Sequence, residues 1–420
     1  MGFPAGRTSV KASAATMVTL HDIRTAQERI SGAVPRTPCP RSDQFSDLTD
    51  AGELYCKLEN LHRTGAFKER GALNKLLTLS AEERARGVIA ASAGNHAQGV
   101  AYHSGRLGIG ATIVMPEQTP LIKVTRTREY GARVVLHGAN FDEAYAEALR
   151  LQRAEGRVFV HPFDDDLIIA GQGTVGLELL EQVPGLELVV VPIGGGGLIS
   201  GIACALKETN PAIQVVGVQT AALPSMKASW DAKSLVTVPA SSTIADGIAV
   251  KRPGERTFEL VRRYVDDVVT VDEEELSNAI LLLLEREKSV VEGAGAAGLA
   301  ALIHGKVPQA RGKRTALVLS GGNIDVNLLS RIIERGLLKD GRKVRLVVRV
   351  PDRPGNLAKL TGAIAELGAN VMEIHHSRSS TKVGLGEAEV EATLETRGRP
   401  HIEELKSTLA QRGWRVTEEG

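Results

Sequence analysis

A chain of 420 residues with 43% hydrophobic and 24% charged residues is too long for one ordinary core and reads as two or three globular domains. Its 51 Lys and Arg offset 50 Asp and Glu, and so small a net charge provides no basic footprint for nucleic acid or acidic lipid, which leaves a small molecule as the expected partner. No apolar run approaches membrane-spanning length, and three scattered cysteines without a C-x-x-C pair suggest neither a disulfide framework nor a zinc knuckle, as suits a cytoplasmic protein.

Residues 1–18 contain Arg7 and Lys11 with several Ser and Ala and no acid. The composition faintly matches an organelle targeting segment, but without periodicity it reads as a flexible tail outside the folded part. From residue 19 to about 335, strand-like and helix-like stretches alternate, the pattern of α/β architecture with mainly parallel sheets. Lys68 stands in Thr64-Gly-Ala-Phe-Lys-Glu-Arg-Gly-Ala72, just ahead of a helix-like run over residues 72–79. Strand-like residues 88–91 lead into Ser92-Ala-Gly-Asn-His96 and a helix-like run over 97–107, and two more strand-like runs, 112–115 and 133–136, also stop at polar loops. Ligands of open α/β sheets gather at such carboxyl ends.

At residues 186–193 an apolar run ends in four consecutive glycines, Gly194, Gly195, Gly196 and Gly197, followed by Leu198 and a helix-like stretch. A strand, tight loop and helix joined in this way suit phosphate, because glycines let backbone N–H groups approach an anion at the positive end of the helix. A nucleoside-triphosphate loop needs Lys followed by Ser or Thr after its last glycine, where this chain has Leu198 and Ile199. A dinucleotide fold needs Gly-x-Gly-x-x-Gly, but Ile199 or Ser200 falls on the final position, and the next strand-like run ends in Gln219 instead of a ribose-binding carboxylate. Neither nucleotide fits. Past a break at residues 338–342 come strand-like 344–350, helical 357–367, strand-like 370–377 and 384–394, helical 401–412 and strand-like 414–417, a small βαββαβ module.

A single lysine is normally a solvated surface charge. At the positive end of a helix, however, the neutral amine is favoured, as imine formation requires. One such lysine together with one phosphate cradle points to pyridoxal phosphate. Asn95 is then suited to donate to the ring oxygen, and Ser92 with the following helix start to hold a substrate carboxylate. Ser320, ending the apolar strand of residues 315–319, is suited to face the pyridine nitrogen. A helix cap at Ser92 and an ordinary strand-to-turn serine at Ser320 are the plain structural alternatives.

Five runs, 64–72, 92–99, 194–198, 243–249 (Thr-Ile-Ala-Asp-Gly-Ile-Ala) and 320–323 (Ser-Gly-Gly-Asn), in this order and spacing, resemble the threonine dehydratase (threonine ammonia-lyase) family of fold type II pyridoxal-phosphate enzymes. Residues 344–419 resemble an ACT domain, a small regulatory module that binds amino acids. The resemblance implies an α/β, tryptophan synthase β-like catalytic core of two domains, large (19–87 and 163–337) and small (88–162), followed by an ACT domain at 343–420. It makes Lys68 the Schiff-base lysine and catalytic base, with Phe67 beside the cofactor, Asn95 on its ring oxygen, Gly194 through Leu198 on its phosphate, Ser320 at its pyridine nitrogen and Gly247 lining it by backbone. Glu292 is either a further lining residue or a helix-cap carboxylate. Ser92, Ala93, Asn95 and His96 would meet the substrate; Gly355, Asn356 and Leu357 would meet an effector such as isoleucine or valine, unless the module serves assembly alone. His375 and His376 read as surface or interface residues.

The implied reaction is β-elimination of water from L-threonine, and from L-serine, giving 2-oxobutanoate or pyruvate and ammonia, in a homodimer or homotetramer. An L-serine or hydroxyaspartate dehydratase, and a non-catalytic amino-acid sensor, are the alternatives. A serine at the pyridine nitrogen makes the ring a weaker electron sink than a carboxylate would, which suits elimination over long-lived carbanions. Serine racemases of this fold carry a second serine where Ala93 stands, and a methyl group cannot reprotonate Cα. Carboxylates for a racemase-type metal site are missing from residues 219–225, so no divalent metal is expected.

Overall fold

The computed structural model describes residues 17–378, 384 and 386–419. Of the expected tail, residues 1–16 lie outside that range, while Val18 is buried and its carbonyl accepts from Cys204 Sγ. Two compact units divide the chain, residues 1–324 and 325–420.

In the first unit a six-stranded sheet has the order β1 (Arg41–Ser42), β2 (Glu53–Lys57), β10 (Arg314–Val318), β7 (Leu188–Pro192), β8 (Gln214–Thr220) and β9 (Asp267–Val271). Every pairing except β1 with β2 is parallel. A second, all-parallel sheet has the order β5 (Arg133–Leu136), β4 (Ala111–Met115), β3 (Val88–Ala91) and β6 (Val158–Phe159), formed from residues that interrupt the larger sheet in sequence. All residues of β3, β4 and β7 are buried, and only Thr112 among them is polar, as expected where helices cover both faces.

The helices Lys68–Leu77 and Asp166–Gln182 approach until their backbones touch. A Cβ at Gly171 would lie 2.6 Å from the Cα of Gly71, so any side chain there would force them apart. Below this contact Arg70, fully buried, reaches Glu59 at 2.7 Å and Glu178 at 2.6 Å. Lys57 also bonds Glu178, at 2.5 Å. Buried carboxylates are tolerable only when paired in this way, and the network anchors the helix that Lys68 begins.

The second unit holds β11 (Lys343–Pro351), β12 (Asn370–Ser377), β13 (Glu387–Glu395) and β14 (Arg415–Glu419) in the antiparallel order β12-β13-β11-β14. Strand β11 alternates buried Val344, Leu346, Val348 and Val350 with more exposed residues, and the buried set packs on Leu360, Ile364, Ile402, Leu405 and Leu409 of two helices. The boundary falls at Ile324, earlier than the expected break at 338–342. The helix Val326–Lys339 goes with this unit, tied to β11 by Glu334–Lys343 at 2.7 Å. Leu385, within the strand expected over 384–394, lies outside the described residues, and the strand begins at Glu387.

Candidate active site

Lys68 is the first residue of its helix, with Phe67 at the cap position. The Phe67 N–H donates to the Ser320 carbonyl at 3.1 Å, pinning the lysine loop to the end of β10. The Lys68 Nζ donates to the Pro162 carbonyl at 2.6 Å and lies 5.1 Å from the Phe67 ring centroid. Burial pushes the ammonium down to about 8, against the pull of the Glu292 carboxylate. The amine is therefore close to the neutral form that a nucleophile or base requires.

The glycine run follows β7 directly. Gly196 takes φ 99, a left-handed conformation that favours glycine, and caps the helix Gly197–Thr209. The ring of Phe163 lies where a Cβ on Gly195 would fall, 2.3 Å from it, and the Phe163 carbonyl is 3.0 Å from a Cβ built on Gly197. Phe163 is held there by a tight turn in which His161 Nδ1 accepts from the N–H groups of Phe163 and Asp164, at 3.2 and 2.8 Å. The Gly195 carbonyl accepts from Thr257 Oγ1 at 2.6 Å. The sequence signal for this brace is weak, because Phe163 and Thr257 carry no motif. It is visible only once β7 and the segment after β6 are side by side.

At the end of β3, Ser92 accepts the Gly94 N–H at 3.3 Å, so its hydroxyl closes a turn instead of capping the helix Asn95–Arg106, whose cap residue is Gly94. A Cβ on Gly94 would meet nothing within 4 Å. Ala93 packs on the core of the smaller sheet. His96 is buried and its Nε2 bonds the Val160 carbonyl at 2.9 Å. Burial and the nearby Lys68 charge push it down to about 3, so it is a neutral imidazole. Asn95 donates from Nδ2 to Glu292 Oε1 at 2.7 Å and accepts at Oδ1 from Asn323 Nδ2 at 2.8 Å.

Glu292 occupies the cap position of the helix Gly293–Ile303, yet its side chain makes no cap hydrogen bond. The helix-cap reading is thus corrected: the carboxylate turns to Asn95. Burial, aided by the charge of Asp246, lifts it to about 7. Gly247 and Gly321 stand beside it, since a Cβ on either would lie 3.1 and 2.5 Å from Glu292 Oε1. Asp246 pairs with Lys123 at 2.7 Å, which ties the segment after β8 to the helix between β4 and β5. Ser320 is buried at the end of β10, and no hydrogen bond from its hydroxyl is found among the described residues. Gly355, Asn356 and Leu357 belong to the second unit. Gly355 takes φ 88 at the cap of Asn356–Glu366, and Asn356 Nδ2 donates to the Pro351 carbonyl at 2.9 Å. Gln219, in the stretch 219–225 that lacks carboxylates, accepts the N–H groups of Met226 and Lys227 in the first turn of the helix Ser225–Ala232.

The test for pyridoxal phosphate is made by the backbone. Among the described residues, the N–H groups of residues 194–199 find no acceptor within the protein. They lie at and just before the start of the helix Gly197–Thr209, where unpaired N–H groups suit a phosphate. Lysine and glycine loop are bridged by Pro162 and Phe163, adjacent residues that touch one and the other.

Residues 30–321 match the family described as "Pyridoxal-phosphate dependent enzyme", and residues 344–412 match the ACT domain. The chain belongs to the pyridoxal-phosphate dependent enzymes. Over 400 residues it is 54% identical to the "L-threonine ammonia-lyase" of Thermotoga maritima, a match covering 95% of this chain and 99% of the relative. The solved structure of the processed form of threonine deaminase isoform 2 from Solanum lycopersicum superposes with a TM-score of 0.71 at 34% identity, covering 77% of this chain and 98% of that one. Maize serine racemase superposes with a TM-score of 0.72 at 36% identity, covering 77% and 99%.

Proposed function

We propose that the chain eliminates water from L-threonine, and from L-serine, and that water then hydrolyses the released enamine to 2-oxobutanoate or pyruvate and ammonia. The observation that carries this reading is Lys68: its Nζ bonds the Pro162 carbonyl, next to the Phe163 ring that packs on the glycine loop, and its amine is drawn down to about 8. The 54% identity with an L-threonine ammonia-lyase over nearly the whole chain favours threonine among the hydroxy amino acids.

Bound pyridoxal phosphate supplies electron withdrawal from the Cα–H bond of the amino acid. The residues of this chain do the rest. The N–H groups of residues 194–199 would hold the phosphate. The Ser320 hydroxyl would meet the pyridine nitrogen, and Asn95 keeps one amide N–H beyond the one given to Glu292, which would go to the ring oxygen. Ser92 and the start of Asn95–Arg106 hold the substrate carboxylate, and Lys68 Nζ takes the Cα proton. Ala93 stands at the position where serine racemases of this fold carry a serine, and a methyl group cannot return a proton to Cα, so elimination outruns racemisation. Residues 219–225 carry no carboxylate for a racemase-type metal site, which supports a reaction that needs no divalent ion.

The second unit binds an amino-acid effector at Gly355, Asn356 and Leu357, with isoleucine or valine the candidates by product logic. The protein works in the cytoplasm as a homodimer or homotetramer. The deciding experiment is 2-oxo acid release from L-threonine, L-serine and 3-hydroxyaspartate by the cofactor-loaded protein. Threonine turnover that disappears in Lys68→Ala supports the reading; a protein that binds cofactor and releases no 2-oxo acid is a sensor instead. Calorimetry with isoleucine and valine checks the effector claim, which fails if neither binds nor alters turnover.

A further inference from the structure

We propose that Asn323 is a positioning residue for the reaction, fixing which way the Asn95 amide faces and so directing its free N–H at the ring oxygen of the cofactor. The inference rests on the assignment of Asn95 to that oxygen. Asn323 Nδ2 has two hydrogens and uses both: one on the Thr64 carbonyl at 2.7 Å, the other on Asn95 Oδ1 at 2.8 Å. Asn95 Nδ2 then gives one hydrogen to Glu292 Oε1 at 2.7 Å, and its second remains. The chain of bonds has a direction, because a peptide carbonyl at the Thr64 end can only accept. Turning the Asn95 amide over would set two NH2 groups face to face and an amide oxygen against the Glu292 carboxylate.

Glu292 alone does not hold this orientation. A carboxyl lifted to about 7 accepts when ionised and donates when protonated, whereas the Asn323 amide has one polarity at every working pH. Asn323 is itself held in place. Its Oδ1 lies 2.5 Å from where a Cβ of Gly65 would fall, and Gly65 has φ 76, so the loop before Lys68 packs its bare backbone against this side chain. The Gly322 N–H donates to the Gly65 carbonyl at 2.9 Å, which keeps the two loops in register. Asn323 thus joins the loops that carry Lys68, Asn95 and Ser320, and of these only Asn95 carries a side chain that it hydrogen-bonds.

The test uses the full-length holoprotein with Asn323→Asp and Asn323→Ala, each also combined with Asn95→Ala. The readout is the balance between the long- and short-wavelength absorption bands of the bound cofactor, which follows hydrogen bonding to the ring oxygen, alongside kcat and KM for L-threonine. Asn323→Asp keeps the size and removes both donors; Asn323→Ala is read if the aspartate variant does not fold. The expected result is a band shift in the direction Asn95→Ala produces, a kcat lowered roughly tenfold by loss of one aligned hydrogen bond, and no further loss when Asn323→Ala is added to Asn95→Ala. A wild-type band balance in both Asn323 variants, while Asn95→Ala moves it, overturns the positioning role and leaves the Asn95 assignment standing. An unmoved band in Asn95→Ala removes both.

Discussion

Capture of pyridoxal phosphate by the apoprotein reports directly on the Lys68 amine. Burial lowers this group from 10.5 to about 8, so at pH 7 about one molecule in eleven carries the neutral amine, against about one in three thousand for an ordinary lysine. The buried site thereby gains roughly 300-fold in reactive form. The sign is that of a base with a depressed value: capture accelerates as pH rises, passes half its limit near pH 8 and then levels. Glu292 is the carboxylate opposing the depression, so Glu292→Gln moves the midpoint below 8 and speeds capture at pH 7. Stopped-flow growth of the cofactor band from pH 6 to 10, in wild type and Glu292→Gln, measures both midpoints. A wild-type midpoint near 10, or a Glu292→Gln midpoint above that of wild type, would refute the electrostatic account.

Gly195→Ala is expected to weaken cofactor binding by roughly ten- to a hundredfold, since its Cβ would lie 2.3 Å from the Phe163 ring and overpacking of this kind costs about 1–3 kcal/mol. Phe163→Ala in the same chain should restore part of the affinity in a cofactor titration, and a lack of rescue would assign the cost to the phosphate contact itself. Arg70→Ala leaves Glu59 and Glu178 buried without their guanidinium partner and should destabilise the first unit by about 3–5 kcal/mol, read as a lower urea midpoint; a change under about 1 kcal/mol would show that the pocket relaxes or admits water.

Much of this site was readable before folding because its signals are local. The glycine run, the strand ahead of it and the apolar helix behind it are neighbours in sequence, as are Lys68 and the helix it starts. The βαββαβ order of the second unit follows from alternation and helical spacing in consecutive stretches. The resemblance, carried by five runs in order, added the roles. Glu292 shows where local reading stops: its sequence position does make it a cap residue, and the carboxylate leaves that post because burial offers it Asn95, which lies 197 positions away. The unit boundary at Ile324 is a second case, since the helix Val326–Lys339 buries only Ile332 and nothing in its own pattern says which unit it joins.

The sequence by itself determined the class of chemistry, because the residue types that pyridoxal phosphate requires occur in short runs whose geometry the backbone dictates. Tertiary structure alone decided how those residues are aimed. The Pro162 carbonyl on Lys68, the Phe163 ring over Gly195 and the Thr64–Asn323–Asn95–Glu292 chain join segments from separate strands of two sheets. Such contacts depend on which strand ends lie side by side, and no local pattern records that.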